Sequence, residues 1–247
     1  MNPKDLFSQQ AAIYAKYRPV YPVALYDHLS ALVTHHSTAW DCATGNGQAA
    51  VELARYFDKV FATDISEKQL QQATPHEKIT YYIAPAHASG LPDKSIDLIT
   101  VAQAYHWFDF EAFHQEVVRV AKQGAVVAVW GYSLIQSTDP ALNTLIYDFY
   151  KQKTGPYWDA ERKYVDDHYA TVAFPYRELP APVFRIEVQW TKEDLIGYFN
   201  TWSSIQHFIK ANGYNPIDAL ATTIQSAWPE SEARPFYFPL FLRAGIV

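Results

Sequence analysis

The sequence predicts an α/β protein: a seven-stranded, mostly parallel sheet with helices on both faces, plus a helical cap inserted after the fifth strand. Three observations lead there. Short apolar runs alternate with helix-spaced segments through the first half of the chain. Two of those runs, IDLITVA and AVVAVW, are nearly continuous apolar stretches, as strands buried on both faces require. The alternation then stops at Tyr132, and two further strand patterns arrive only late in the chain.

Taken in order, an N-terminal helix is expected around Leu6–Tyr17, ending before Pro19 because a residue preceding proline is driven out of the helical region. Strands are expected at Thr38–Cys42, Val60–Thr63, Ile79–Ala84, Ile96–Ala102 and Ala125–Trp130. Between them, Gln48–Tyr56, Ser66–Ala73 and Glu111–Val120 space their apolar residues for helices. Such βαβ alternation specifies parallel strands with helical crossovers. Residues 133–182 read as helical and irregular, centred on YDFYKQKTGPYWDAERKYVDDHY, and form the expected cap. FRIEVQW returns as a strand, TKEDLIGYFNTWSSIQHFI as one helix, and RPFYFPLFLRAG as the last strand. The expected organisation is a single domain over 1–247, with residues 1–20 as a lid and 133–182 as the cap.

Bulk properties narrow the class. The 247 residues carry 20 Lys and Arg against 26 Asp and Glu, a formal charge of -6. That balance, with no run of basic residues, argues against a nucleic-acid partner. One cysteine, Cys42, allows no internal disulfide and is read as a buried filler. The opening MNPKDLFSQQ lacks the apolar centre of a signal peptide, and no stretch reaches the roughly 18 apolar residues of a spanning helix. The expectation is a cytoplasmic monomer or homodimer without membrane or metal partners. Aromatic residues make up 16% of the chain, more than a core alone suggests, so some of these rings are expected to wall a pocket.

The segment Asp41-Cys42-Ala43-Thr44-Gly45-Asn46-Gly47-Gln48 leaves a strand and enters a helix. Gly45 and Gly47 permit a tight turn and a close approach to a ligand. Asp64 ends the second strand, placed to accept hydrogen bonds from both hydroxyls of a ribose. Together they suggest an adenosine cofactor. Gly45-x-Gly47-x-x-Ala50 also fits a dinucleotide fingerprint, so NAD is weighed. Asp41 beside the turn would repel a pyrophosphate, and the loop carries no basic residue; both disfavour NAD.

In their order, DCATGNGQAA, ATDIS, APAHASGLP, DLITVAQAYHWFD and RVAKQGAVVAVWGY resemble the class I S-adenosylmethionine (SAM)-dependent methyltransferases with a methyltransferase type 11 domain, on a Rossmann-like fold. YAKYRPVYP, AYHWFD and NTWSSIQHF are similar to the trans-aconitate methyltransferase-like branch. The resemblance implies SAM as cofactor. Asp41, Ala43, Gly45 and Gln48 would line its methionine end, with Asn46 and Gly47 completing the loop. Asp64 would hold the ribose, Ile65 would pack on adenine, and Ala86 and His87 would edge it. Gln103 would offer its carbonyl to the ammonium group, and Tyr14 and Arg18 would close from the N-terminus. Glycine is usual in the family where Ala43 stands, and an acidic residue where His87 stands.

Methyl transfer from a sulfonium needs alignment and dryness, not a covalent intermediate. The segment after the fourth strand therefore supplies the acceptor-side candidates. His106 is the candidate catalytic residue, as a base or as a hydrogen-bonding group, with a purely structural histidine as the alternative. Tyr105, Trp107, Tyr132 and, from the cap, Trp158 are expected to bind substrate. Tyr157, Arg162 and Tyr169 are weaker candidates for the same lid. The expected activity is methylation of a small organic acceptor, with a carboxylate favoured by family likeness. A SAM-binding module without catalysis and an NAD-dependent oxidoreductase are the competing readings.

Overall fold

The computed structural model describes residues 17–247. The strands are β1 (Thr38–Cys42), β2 (Lys59–Asp64), β3 (Ile79–Ile83), β4 (Ile96–Ala102), β5 (Ala121–Tyr132), β6 (Gln136–Ser137), β7 (Arg177–Leu179), β8 (Phe184–Trp190) and β9 (Arg234–Ile246). Around them lie α1 (Val23–Ala31), α2 (Gln48–Leu53), α3 (Glu67–Leu70), α4 (Phe110–Val120), α5 (Pro140–Asp148), α6 (Arg162–Asp166), α7 (Lys192–Asn200), α8 (Ser203–Asn212) and α9 (Ile217–Ala227).

The strand order is β3-β2-β1-β4-β5-β9, with β6, β7 and β8 all paired to β9. β1 to β5 are mutually parallel and β9 runs against β5. The nine segments fill seven columns. β6 continues the line of β5 along one side of β9, whereas β7 leads into β8 along the other. The Pro180-Ala181-Pro182 stretch interrupts that last column, since proline supplies no ladder donor.

Alternation explains why helices cover both faces. Ala39, Leu98, Val126 and Ala128 belong to one core with α1, α2, α5 and the C-terminal helices. Trp40, Ile99, Val127 and Val129 belong to the other, with Phe113, Val117 and Val120 of α4. Successive strand side chains point to opposite faces, so each central strand feeds both cores. Cys42 is buried in the second.

Two sequence expectations need correction. The segment 191–209 is not one helix: α7 stops at Asn200 and α8 starts at Ser203, with Trp202 extended between them (φ -73, ψ 135). The Thr201 hydroxyl donates to the Tyr198 carbonyl at 2.6 Å and helps end the first helix. β5 begins four residues before the expected Ala125, past a register shift against β4 and the left-handed Gly124 (φ 76). The helix expected around Leu6–Tyr17 lies almost wholly outside the described residues, as does Tyr14. α9 had no counterpart among the sequence expectations.

Candidate functional site

The carboxyl ends of β1 and β2 are joined by side chains as well as by the sheet. The backbone leaves β1 through Ala43 (φ 56), Gly45 (φ 58) and Gly47 (φ 84), all left-handed, and Gly47 opens α2. A Cβ on Gly47 would lie 2.6 Å from the Tyr81 hydroxyl, so the turn admits only glycine there. Asp64, the last residue of β2, accepts from the Gly45 amide at 2.8 Å and from the Ser66 amide at 2.8 Å. Its carboxylate thereby holds two loops in one plane at the strand ends.

Asp41 sits beneath that loop with no exposed surface. The hydroxyls of Thr44 and Thr100 donate to its two oxygens. Burial pushes the Asp41 carboxyl up to about 6, and the neighbouring Asp64 charge pushes the same way, while the two hydroxyls pull it back. The carboxyl group is thus held by neutral donors, the two hydroxyls and the Ala50 backbone, in a site whose burial disfavours its charge. Ile65 is 51% exposed on the rim. Ala86 and His87 form a turn after β3, with His87 exposed. That turn is pinned by Ser89, whose amide and hydroxyl both donate to Glu116 of α4.

At the end of β4, Gln103 (φ 54) donates its amide to the Trp130 carbonyl and accepts through Oε1 from the Tyr132 amide, both at 2.8 Å. A Cβ on Gly131 would come within 2.7 Å of that Oε1, so the glycine makes room for it. His106 is 8% exposed and its Nδ1 lies 3.1 Å from the Tyr169 hydroxyl. Burial, and secondarily the Arg162 charge, push its imidazole down to about 3. His106 is therefore neutral across the physiological range and a weak proton acceptor. Trp107 lies beside it at 4.8 Å between ring centres and is 38% exposed, as a wall residue would be.

Tyr105 and, among the cap candidates, Tyr169 are the aromatic sequence candidates that the structure buries completely, and Tyr105 is the clearer case. It is fully buried in the α4-side core, its ring among Phe108, Phe110 and Phe113 and its hydroxyl on His114. One turn of 3-10 helix over Tyr105–Trp107 sends neighbouring side chains in different directions, which strand-end position alone does not reveal.

Tyr132 closes β5, buried against Tyr21 and Phe238. Its hydroxyl accepts from Arg18, whose guanidinium also donates to the Thr201 carbonyl and lies over the Tyr198 ring. Arg18 is thus anchored on the α7–α8 break, and Gly197 within α7 leaves room for the ring of Tyr17. Trp158 packs between Tyr150 and Trp202 at 5.3 Å from each. Two cavities flank this region. One of about 240 Å³ lies between residues 17–20 and β8, and one of about 390 Å³ lies between Ser133–Gln136, α5 and Asp166–His168. Neither is lined by the glycine loop or His106.

The fold brings Asp41, Ala43–Gln48, Asp64, Ile65, Ala86, His87, Gln103, His106, Trp107 and Tyr132 to the carboxyl ends of five neighbouring strands. Sequence reasoning missed Thr44 and Thr100 as partners of Asp41. It also missed Tyr198, Thr201 and Trp202, which hold Arg18 and Trp158. A hydroxyl in the glycine loop and another on the neighbouring strand were the available signal for the first pair. For the second, the Asn200-Thr201 step inside an apolar-periodic helix was a signal for a break.

Comparison with known proteins fits this geometry. A family model described as a methyltransferase domain matches residues 40–129, the span from β1 to β5 that carries the glycine loop. The chain is 37% identical to a solved structure from Anaeromyxobacter dehalogenans named as a type II methyltransferase, covering 93% of this chain and 98% of that one with a TM-score of 0.87. A protein of Dictyostelium discoideum named as a methyltransferase is 29% identical, over 96% of this chain and 93% of its own length. A structure from Anabaena variabilis, 17% identical with a TM-score of 0.54, shares the fold. These names do not single out the trans-aconitate methyltransferase-like branch.

Proposed function

The chain belongs to the class I SAM-dependent methyltransferases and uses SAM as its cofactor, and from that premise we propose that it methylates a small organic acceptor, with a carboxylate oxygen as nucleophile. The observation that carries the cofactor assignment is Asp64. Its carboxylate already accepts one N–H donor on each oxygen at a strand end, and the second lone pair of each oxygen suits the paired hydroxyls of a ribose. Bound SAM supplies an electrophilic methyl group on a sulfonium.

The chain's residues then have the following roles. Asp64 holds the ribose, and Ile65, Ala86 and His87 edge the adenine. Asp41 provides the counter-charge for the ammonium end through the loop Ala43–Gln48, and the Gln103 carbonyl faces the same group. Arg18 approaches the methionine end from the N-terminal side, with Tyr14 on the segment before it. His106 and Trp107 border the acceptor, with Tyr132 and Trp158 behind them. The cap over 133–182 excludes water when closed, and most of the lid expected at residues 1–20 lies outside the described residues.

The carboxylate preference rests on His106. A neutral, weakly basic imidazole does not serve an acceptor that must lose a proton, whereas a carboxylate arrives ionised. Transfer of a labelled methyl group from SAM to a panel of carboxylic acids, phenols and amines tests the reading. The expected product is a methyl ester, formed at a rate nearly flat from about pH 6 to 9. His106→Asn should keep a sizeable fraction of activity. A rate climbing tenfold per pH unit through neutrality would make His106 a base and overturn the carboxylate assignment. Calorimetry adds a second check, with S-adenosylhomocysteine (SAH) binding and NAD not.

A further inference from the structure

We propose that Arg162 is the anion-binding residue of the acceptor site, its Nη1–Nη2 edge receiving a carboxylate of the substrate. This rests on the methyltransferase reading and adds a residue that reading does not require. Arg162 opens α6 and is one-fifth exposed. Its Nε donates to the Tyr150 hydroxyl at 2.8 Å and lies 3.3 Å from Asp166. The flat of the guanidinium covers the Trp158 ring at 4.8 Å and the Tyr150 ring at 5.3 Å. These contacts fix the plane of the group through one edge and one face. Among the described residues its two terminal nitrogens make no hydrogen bond, and one-fifth of the side chain reaches solvent. A guanidinium held by Nε with both Nη groups open is the half of a fork-to-carboxylate pair that the protein can supply alone.

The local charge balance leaves Arg162 attractive. Asp166 is its nearby carboxylate, and that carboxylate also accepts from the Tyr150 hydroxyl at 2.6 Å and from Lys151 at 3.1 Å. Two cations therefore share one anion. Tyr169, three residues past α6, reaches His106 at 3.1 Å on the β4 side, and Trp158, under Arg162, packs on Trp202, which meets Tyr198 of α7 on the other. Tyr198 in turn lies under Arg18. Arg162 thus stands between the strand-end residues and the C-terminal helices, where an acceptor entering toward His106 would meet it. Its aromatic neighbours, Tyr150 and Trp158, suit an apolar body attached to that carboxylate.

The experiment is calorimetric titration of the SAH-loaded protein with benzoate, phenylacetate, succinate and glutarate, each beside its neutral carboxamide. In the parent, at least one carboxylate should bind at least tenfold more tightly than its amide, the scale of one charge-assisted pair. In Arg162→Gln that preference should fall to within about threefold, with SAH affinity unchanged. Arg162→Lys keeps the charge without the fork. Should the Gln variant fail to fold, the Lys variant decides, with carboxylate affinity expected to fall about tenfold and amide affinity to hold. Tyr150→Phe, which removes the nearer of the two Nε acceptors, should lower carboxylate affinity by a smaller factor and leave amide binding alone. The proposal is overturned if no carboxylate outbinds its amide in the parent. It is equally overturned if the preference survives both Arg162 variants, or if charged and neutral ligands lose equally. Absence of SAH binding by the parent would instead defeat the methyltransferase reading, and repeating the carboxylate titrations without SAH keeps the two failures apart.

Discussion

The glycine loop between β1 and α2 and the ring cluster around Trp202 sit over the same sheet and are made of opposite materials. The loop is mostly backbone: three left-handed residues, a short first turn of helix, and the Asp64 carboxylate tying amide to amide. The cluster is nearly all side chain. Trp202 meets Phe149, Tyr150, Trp158, Tyr198 and Phe199 at ring distances of 4.8 to 6.1 Å, joining segments fifty residues apart. A cofactor shared by a whole family can be met by backbone groups, which tolerate sequence change. An acceptor particular to one enzyme needs walls whose shape depends on which rings are present.

The comparison breaks most directly at Trp202. It is 3% exposed, so Trp202→Ala removes a large buried ring and should cost about 3–5 kcal/mol of stability. Thermal and denaturant unfolding measure that loss. SAH affinity of the folded fraction should stay within about twofold, since no Trp202 contact reaches the glycine loop. A large loss of SAH affinity would mean that cluster and loop form one unit.

On the loop side, Asp41 has the largest expected effect, and its sign follows from its environment. Its pKa is about 6 when folded against 3.8 for an ordinary aspartate, so the fold favours its protonated form. Between those values the unfolded chain releases its proton first, and the apo protein loses stability as pH rises. The difference of about 2 units corresponds to about 3 kcal/mol by neutral pH. Asp41→Asn should therefore unfold at a higher temperature than the parent at pH 7.5 and lose that advantage by about pH 4. The same variant should bind SAH at least tenfold more weakly if the carboxylate balances the ammonium end. Parallel melting curves at both pH values would show that the two threonine hydroxyls fully offset the burial cost.

How far each region could be read in advance follows the same division. Strands β1, β4 and β8 are legible to the residue because a doubly buried or alternating run has one reading. The cofactor edge is legible because glycine spacing and a terminal aspartate encode backbone geometry locally. Tyr105 and the α7–α8 break were misread for the opposite reason. A ring's destination depends on the neighbour it meets, and Tyr105 meets Phe113 of α4 where strand-end placement suggested a ligand. Trp158 and Arg162 acquire their surroundings from Tyr150 and Trp202, on elements that sequence spacing does not bring together.

A moderate effect is expected at Asp64. Asp64→Ala takes the carboxylate away from the Gly45 and Ser66 amides and removes the proposed ribose acceptor. SAH affinity should fall by roughly 5–150-fold, equivalent to about 1–3 kcal/mol. Global stability should change less, because both amides sit on partly exposed loops that water can reach. An unchanged SAH affinity would remove Asp64 from the site and leave it as a loop fastener.

The smallest expected effect is also the one that most sharpens the contrast. Ala43 occupies φ 56 in the turn, a backbone region that favours glycine. An L-residue in that region costs roughly 1–2 kcal/mol, because Cβ crowds the following carbonyl oxygen. Glycine relieves that strain but gains freedom in the unfolded chain worth about 0.4–1 kcal/mol in the other direction. Ala43→Gly should therefore stabilise the protein by up to about 1 kcal/mol, or about 2–4 °C for a chain of this size. Removing a methyl group where backbone approaches ligand should also tighten SAH, by a few-fold at most. An equivalent trimming in the cluster, such as Tyr198→Phe, offers no strain to relieve and should not stabilise. If Ala43→Gly destabilises instead, the Ala43 methyl group makes packing contacts that outweigh its backbone strain, and the loop depends on side chains as the cluster does.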